Sequence, residues 1–333
     1  MFTFFRLAMN ACRECLREPV FYLMLLAALI MIGLFPYFSM FVFRQQIRLV
    51  CDSSMATTML FGLFAAVLCS ARTISREMKN GTVLLLMSKP VSRFSFVIAK
   101  MCGILTSLTL FVFTCNAATW LSVLIAKEQF HQSKPLLLWY FGTICIAAIY
   151  GGVRNFISQK SFSSNAVLAM ALIYPIVATV AQRIRASSLS EVFLADKESF
   201  MPADILLPAL CMLFFAVWIM GIVSSALAMR MEIVGNLLVC LVLFLLGMVL
   251  HYFAANVFGT GSTLALLCTS LVPNWQLFWM ADVLSNRIHI PASYFIWTAL
   301  YSIFYCTAWI GWAFLWISQA NLQTATLKCS LSL

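Results

Sequence analysis

The residues best placed to do chemistry lie between Arg72 and Lys100. Arg72, Arg76, Lys79, Lys89, Arg93 and Lys100 stand there against one acid, Glu77, in a sequence that is otherwise strongly apolar. Fixed positive charge of this kind does not make or break bonds. It binds anionic groups, and it holds a loop on the cytoplasmic side of a membrane. Gly81 and Pro90 bracket a short apolar run, Thr82–Met87, which could form about two helical turns lying in the interface. A short helix held there between two spanning helices is well placed to receive a push from a soluble partner.

Groups for covalent or hydrolytic chemistry do not form a pattern. His131, His251 and His289 are widely separated, and no serine–histidine–acid or paired-carboxylate constellation is present in the sequence. Cys12 and Cys15 form a C-x-x-C without a second pair or a neighbouring histidine, so they read as two neighbours on a short helix rather than a metal or redox site. No G-x-x-x-x-G-K-[ST] occurs. The Gly-rich Gly259-Thr260-Gly261-Ser262-Thr263 lacks the lysine and reads as a flexible outer turn. The expectation is no catalytic residue, no metal and no cofactor held by this chain.

What must position the basic stretch is a membrane bundle. Of the 333 residues, 63% are hydrophobic and 10% charged, whereas a soluble domain carries about 25% charged residues. The net charge of +10 would fit nucleic acid, but the basic residues gather in a few loops, which is a topological signature, and no nucleic-acid partner is expected. The fold class is therefore an all-α integral membrane protein: a polytopic bundle of about eight transmembrane helices, with an N-terminal interfacial helix and a cytoplasmic coupling loop.

Taken in order, residues 1–19 read as the interfacial amphipathic helix. Phe2, Phe5, Met9, Cys12 and Leu16 recur at three and four, and Arg6, Arg13 and Arg17 fall opposite. Residues 20–333 read as one transmembrane domain. Crossings are expected at about 20–43, 55–71, 94–126, 135–153, 165–181, 205–229, 233–258 and 292–317. A short polar loop is expected at 44–54, the basic loop at 72–100, and extracytoplasmic segments at 182–204 and 259–291. Within the latter, 262–281 is apolar but interrupted by Pro273-Asn274. A bent, re-entrant or interfacial hairpin suits it better than a straight crossing, which stays open as the alternative.

A charge count tests the orientation. With both termini inside, the inner side holds 13 Lys/Arg and 4 acids, and the outer side 8 and 7; inverting the topology would reverse this bias. The spans also lack central charges. Lys127, Arg230, Glu232 and Asp282 all sit at ends, whereas ion-coupled carriers keep ionisable groups inside the membrane.

At the basic loop the sequence resembles a known family. Ile74–Lys100, I-S-R-E-M-K-N-G-T-V-L-L-L-M-S-K-P-V-S-R-F-S-F-V-I-A-K, is similar to the segment after the second helix in permeases of the ABC-2 type. There an acid, a Gly-Thr, a run of leucines, (S/T)-(K/R)-P-(V/I)-(S/T)-R and a helix-opening lysine follow one another. Here these are Glu77, Gly81-Thr82, Leu84–Leu86, Ser88-Lys89-Pro90, Val91-Ser92-Arg93 and Lys100. Weaker likenesses lie in the N-terminal stretch and in S-S-A-L-A-M-R-M, V-P-N-W-Q-L-F-W-M-A-D and I-P-A-S-Y. Family members often have six crossings rather than eight.

The resemblance implies the transmembrane subunit of an ABC transporter in the cell (inner) membrane, multi-pass, with both termini cytoplasmic. It implies a separate ABC ATPase that binds ATP and Mg, a second permease copy or paralogue as dimer partner, surrounding membrane lipid, and export as the default direction. The coupling residues it implies are Glu77, Gly81, Thr82, Lys89, Pro90 and Arg93. Gly81 and Pro90 would set loop geometry, and Glu77, Lys89 and Arg93 would contact the partner or headgroups. Other readings are a membrane-embedded lipid-modifying enzyme, an assembly factor and an ion-coupled secondary transporter, which rest on hydrophobicity alone.

Overall fold

A computed structural model describes residues 2–38, 46–75, 93–126, 133–189, 203–257, 272–280, 283–284 and 289–330. Helix α1 (Phe2–Arg17) is followed, after Glu18 alone, by α2 (Pro19–Phe38); then come α3 (Gln46–Ser70), which runs on into a π-helical turn at Ala71–Ser75, and α4 (Arg93–Ile125). Next are α5 (Lys134–Ser158), α6 (Phe162–Leu189), α7 (Ala203–Leu227), α8 (Ile233–Val257), a 3-10 turn at Trp275–Phe278, and α9 (Ala292–Ser330). Helices α2 to α9 give eight spans long and apolar enough to cross a membrane. In hydrocarbon a chain must satisfy its own backbone hydrogen bonds, which is why runs this apolar fold as helices.

The bundle is organised around α4, which packs against α1, α2, α3, α5, α6, α7 and α9. Its 33 residues span about 50 Å, more than the roughly 30 Å hydrocarbon layer. The α3 and α7 spans are the most deeply set, 72% and 67% buried, whereas α5, α8 and α9 are 22%, 17% and 22% buried. Small residues permit the close approaches: a Cβ added at Gly62 of α3 would meet Val217 Cγ2 of α7 at 2.9 Å. Polar side chains then tie helix to helix. Tyr140 Oη donates to Leu29 O at 2.7 Å, Ser122 Oγ to Ile32 O at 2.9 Å, and Trp218 Nε1 to Thr109 Oγ1 at 2.9 Å.

Several boundaries differ from the sequence reading. Most of the expected polar loop 44–54 is helix, because α3 starts at Gln46. Arg48 and Asp52 pair one turn apart at 3.6 Å, and Gln46, Cys51 and Ser54 turn into the bundle. Helix α5 continues past Arg154 to Ser158 and ends with Gln159 in the left-handed conformation (φ 50). Helix α6 reaches Leu189, which leaves 190–202 outside the described residues. Pro175 sits inside α6.

The described residues between α8 and α9 form no straight crossing. Trp275 and Phe278 are buried, Trp275 Nε1 donates to Leu243 O at 3.3 Å and Gln276 Nε2 to Met248 O at 2.9 Å. Tyr294 Oη of α9 closes the other side on Leu277 O at 2.8 Å. This is irregular backbone set against the middle of α8, tolerated at that depth because protein surrounds it. Gly247 makes room, since a Cβ there would meet the Trp275 indole.

The packed face of α1 takes in only part of the stripe that its periodicity picks out. Ala11, Cys12, Cys15 and Leu16 are buried, while Phe5 and Met9 remain exposed. Two faces share the work: the small residues Ala8, Ala11 and Cys12 meet Gly103 of α4, and Phe5 and Met9 point away from the bundle, where lipid would cover them.

Candidate functional site: the roots of the basic loop

Glu77, Gly81, Thr82, Lys89 and Pro90 lie outside the described residues. Arg93 opens α4. The structure does describe the two roots from which residues 76–92 emerge. One is the π-helical turn Ala71–Ser75 that prolongs α3; the other is the first two turns of α4. Both ends of the basic stretch 72–100 are helical, at Arg72–Ser75 and from Arg93 on, and residues 76–92 lie outside the described residues.

Both roots are fastened to adjacent residues of α1. At the first, Thr73 is buried and its hydroxyl lies 3.3 Å from Cys15 Sγ. At the second, Lys100 is buried and Nζ donates to Glu14 Oε2 at 3.2 Å. One turn further along α4, a Cβ at Gly103 would meet the backbone of Ala8 and Cys12 and the side chain of Ala11. Lys100, Gly103 and Ser107, at spacings of three and four, therefore lie along one α4 face directed at α1.

The neighbouring helix ends join the same frame. Ser70, at the end of α3, lies 3.1 Å from Ser225 near the end of α7, and Ser163 of α6 donates to Arg17 O at 2.8 Å. Asn236 Nδ2 reaches Ser224 O and Oγ, both at 3.1 Å, which ties α7 to α8. The Arg230 guanidinium lies 5.7 Å from the centre of the Trp316 ring, linking the turn after α7 to α9. A segment pushed at this end cannot yield alone: it is held by short polar contacts to helices that reach the far end of the bundle.

The two thiols of α1 are shifted in opposite directions: hydrogen bonding with Cys69, Thr73 and Ser107 lowers Cys15, whereas Cys12 is raised. Burial pushes the Cys12 thiol up to about 11, with the neighbouring Cys15 adding to the rise; a thiol in that state is a weak nucleophile and a weak metal ligand at neutral pH. Among the described residues no three His, Cys, Asp or Glu side chains come together as a metal site.

Sequence reasoning counted Lys100 among the loop charges and did not find its partner, because Glu14 lies 86 positions away. The signal within α4 is the Lys100–Gly103–Ser107 spacing, which is legible only once α1 is known to cover that face.

A family model described as ABC-2 family transporter protein matches residues 25–191, half of the chain, from within α2 through both roots of the loop to just beyond α6. No curated protein and no solved structure matches the sequence.

Proposed function

Since the chain belongs to the ABC-2 transporter family, we propose that it takes its driving force through residues 76–92 from a separate ABC ATPase and uses it to export a substrate. Membership makes the chain a membrane transport component, a permease of an ABC transporter and not itself the ATPase, and it implies an ABC ATPase as partner. ATP and Mg then bind in that partner. Docking uses Glu77, Gly81, Thr82, Lys89, Pro90 and Arg93. A second permease copy or paralogue, together with membrane lipid, covers the exposed faces of α5, α8 and α9. The α1 end faces the cytoplasm, with both termini, and the membrane is the inner one.

The observation that supports this reading most strongly is the family match running through both roots of the loop. Anchorage supplies the mechanics. A push on 76–92 reaches the end of α3 and the start of α4 at once, and α1 clamps the two together through Cys15 and Glu14. Because α4 touches seven other helices, its displacement repacks the bundle as a unit, the kind of rigid-body change that interfaces convert into alternate states.

The test is to purify the chain with its cognate ABC ATPase and measure complex formation and stimulated ATP hydrolysis. Gly81→Val and Arg93→Glu should each lower both while the chain stays folded. If both variants retain the complex and the stimulation, the docking role is wrong.

A further inference from the structure

At the α1 end of the bundle, the starts of α2 and α6 meet the end of α5 in one corner. Ser163 Oγ of α6 donates to Arg17 O at 2.8 Å, and the rings of Tyr22 and Phe162 lie 5.3 Å apart, edge to face. A Cβ at Gly151 of α5 would meet Phe162 O at 3.1 Å. Asn155 Nδ2 donates to Lys160 O at 2.8 Å, which holds the α5–α6 turn against the end of α5. These contacts gather Arg17 of α1, Arg154 of α5 and Lys160 of the turn around the start of α6.

The protein does not answer these three charges itself. Among the described residues no acid lies within ion-pair distance of any of them: Glu14 is taken by Lys100, and Glu18, next to Arg17 in the chain, pairs with none of the three. Arg17 and Lys160 are exposed. Arg154 is half-buried, and its Nε is covered and unbonded, so the two Nη groups are the part of the guanidinium that a ligand meets. The start of the 28-residue α6 adds the positive end of a helix dipole. Positive charge gathered where spans end attracts an anion.

The neighbours of the cations fix the kind of anion. Tyr150 and Ile157 stand four residues before and three after Arg154, hence beside it on the helix surface, and they are 47% and 73% exposed. Phe162, between Lys160 and Ser163, is exposed too. A small soluble anion would leave these side chains bare. A phospholipid covers them with its chains while its phosphate stays at headgroup level.

We propose that this corner binds an anionic phospholipid, with its phosphate among Arg17, Arg154 and Lys160 and its chains along α5 over Tyr150 and Ile157. The site does not depend on docking at residues 76–92, and it holds whichever compartment this end of the bundle faces.

The test uses the full chain in phosphatidylcholine nanodiscs that contain a small fraction of phosphatidylglycerol carrying a diazirine beside its glycerol backbone. After photolysis, adducts should concentrate on the stretches 17–22 and 150–163. Phosphatidylcholine with the same diazirine should label them about tenfold less, and Arg17→Gln combined with Lys160→Gln, both at exposed positions, should weaken phosphatidylglycerol labelling about tenfold. Arg154→Gln should weaken it as well, whereas Arg154→Lys, which keeps the charge, should retain most of it. Arg183→Gln, at an exposed cation toward the other end of α6, should change nothing. Labelling should persist with millimolar inorganic phosphate and with the cognate ABC ATPase added. Equal labelling by the two probes would overturn the proposal, as would adducts spread evenly over the exposed faces of α5, α8 and α9, which mark general lipid contact. Loss of labelling to inorganic phosphate would make this a site for a soluble anion, and loss to the ATPase would make it a protein contact; either result also overturns the proposal. Should Arg154→Gln fail to fold, the probe comparison and the two exposed substitutions still decide.

Discussion

Lys100 Nζ donates to Glu14 Oε2 at 3.2 Å, and this ion pair joins the interfacial helix α1 to the root of the basic loop. The lysine is buried, but its partner's side chain is half exposed, so the pair sits where the bundle meets its aqueous or headgroup boundary. A hydrogen bond to a charged group is worth about 1.5–3 kcal/mol net, and exposure of the acid reduces that. Glu14→Gln should therefore lower stability in detergent by about 1–2 kcal/mol, read as a fall in thermal midpoint. Exchanging the charges with Glu14→Lys and Lys100→Glu should recover part of the loss, whereas each single change should be worse than the pair.

Gly103 sets how closely α1 can lie on α4. A Cβ there meets backbone atoms of Ala8 and Cys12, which cannot swing aside as the end of a flexible side chain could. Gly103→Leu should separate the two helices at a cost of about 1–3 kcal/mol from overpacking, despite the better helix propensity of leucine. Faster proteolysis of the N-terminal segment, at an unchanged rate elsewhere, is the expected readout.

The Cys12 thiol is raised from 9.0 to about 11 by burial. At pH 8 its thiolate population should be about a hundredfold below that of an ordinary cysteine, so modification by a small maleimide should be correspondingly slow. The sign for stability follows from linkage. Below 9.0 the thiol is neutral whether folded or unfolded; between 9.0 and 11 the unfolded state alone loses the proton, so this group removes stability as pH rises through that window. A Cys12→Ala variant should show a flatter decline across the same range.

Trp275 wedges the irregular segment onto α8. Its ring lies 6.0 Å from Phe244 and 6.4 Å from Phe278, and its indole N–H is bonded to Leu243 O. Trp275→Ala should cost about 3–5 kcal/mol by opening a cavity, and it should release residues 272–280 first. Hydrogen exchange confined to that segment and to the facing turn of α8 would report this.

How much of the architecture could be read from the sequence depended on the kind of signal. Eight spans were legible because an apolar run of helical length has one stable form in hydrocarbon. The start of α3 was not, since Arg48, Asp52, Ser53 and Ser54 resemble a polar loop until the one-turn pairing of Arg48 with Asp52 and the burial of Ser54 are known. Residues 274–280 carried a readable warning in Pro273-Asn274, but the Trp275 contact to α8 is a tertiary fact. At the candidate site the motif from Glu77 to Arg93 was legible as a family pattern. The clamp of Glu14 and Cys15 on Lys100 and Thr73 was not, because its partners are far apart in sequence and every one of them has an innocuous local reading.

Docking of an ABC ATPase requires residues 76–92 to face the compartment that holds it. Single cysteines placed from Lys79 to Lys89 in a cysteine-free background, probed in intact cells and in inverted vesicles with a membrane-impermeant maleimide, test this directly. Labelling should occur only in inverted vesicles, with protection when the ABC ATPase is bound. Labelling of those positions in intact cells would contradict this placement.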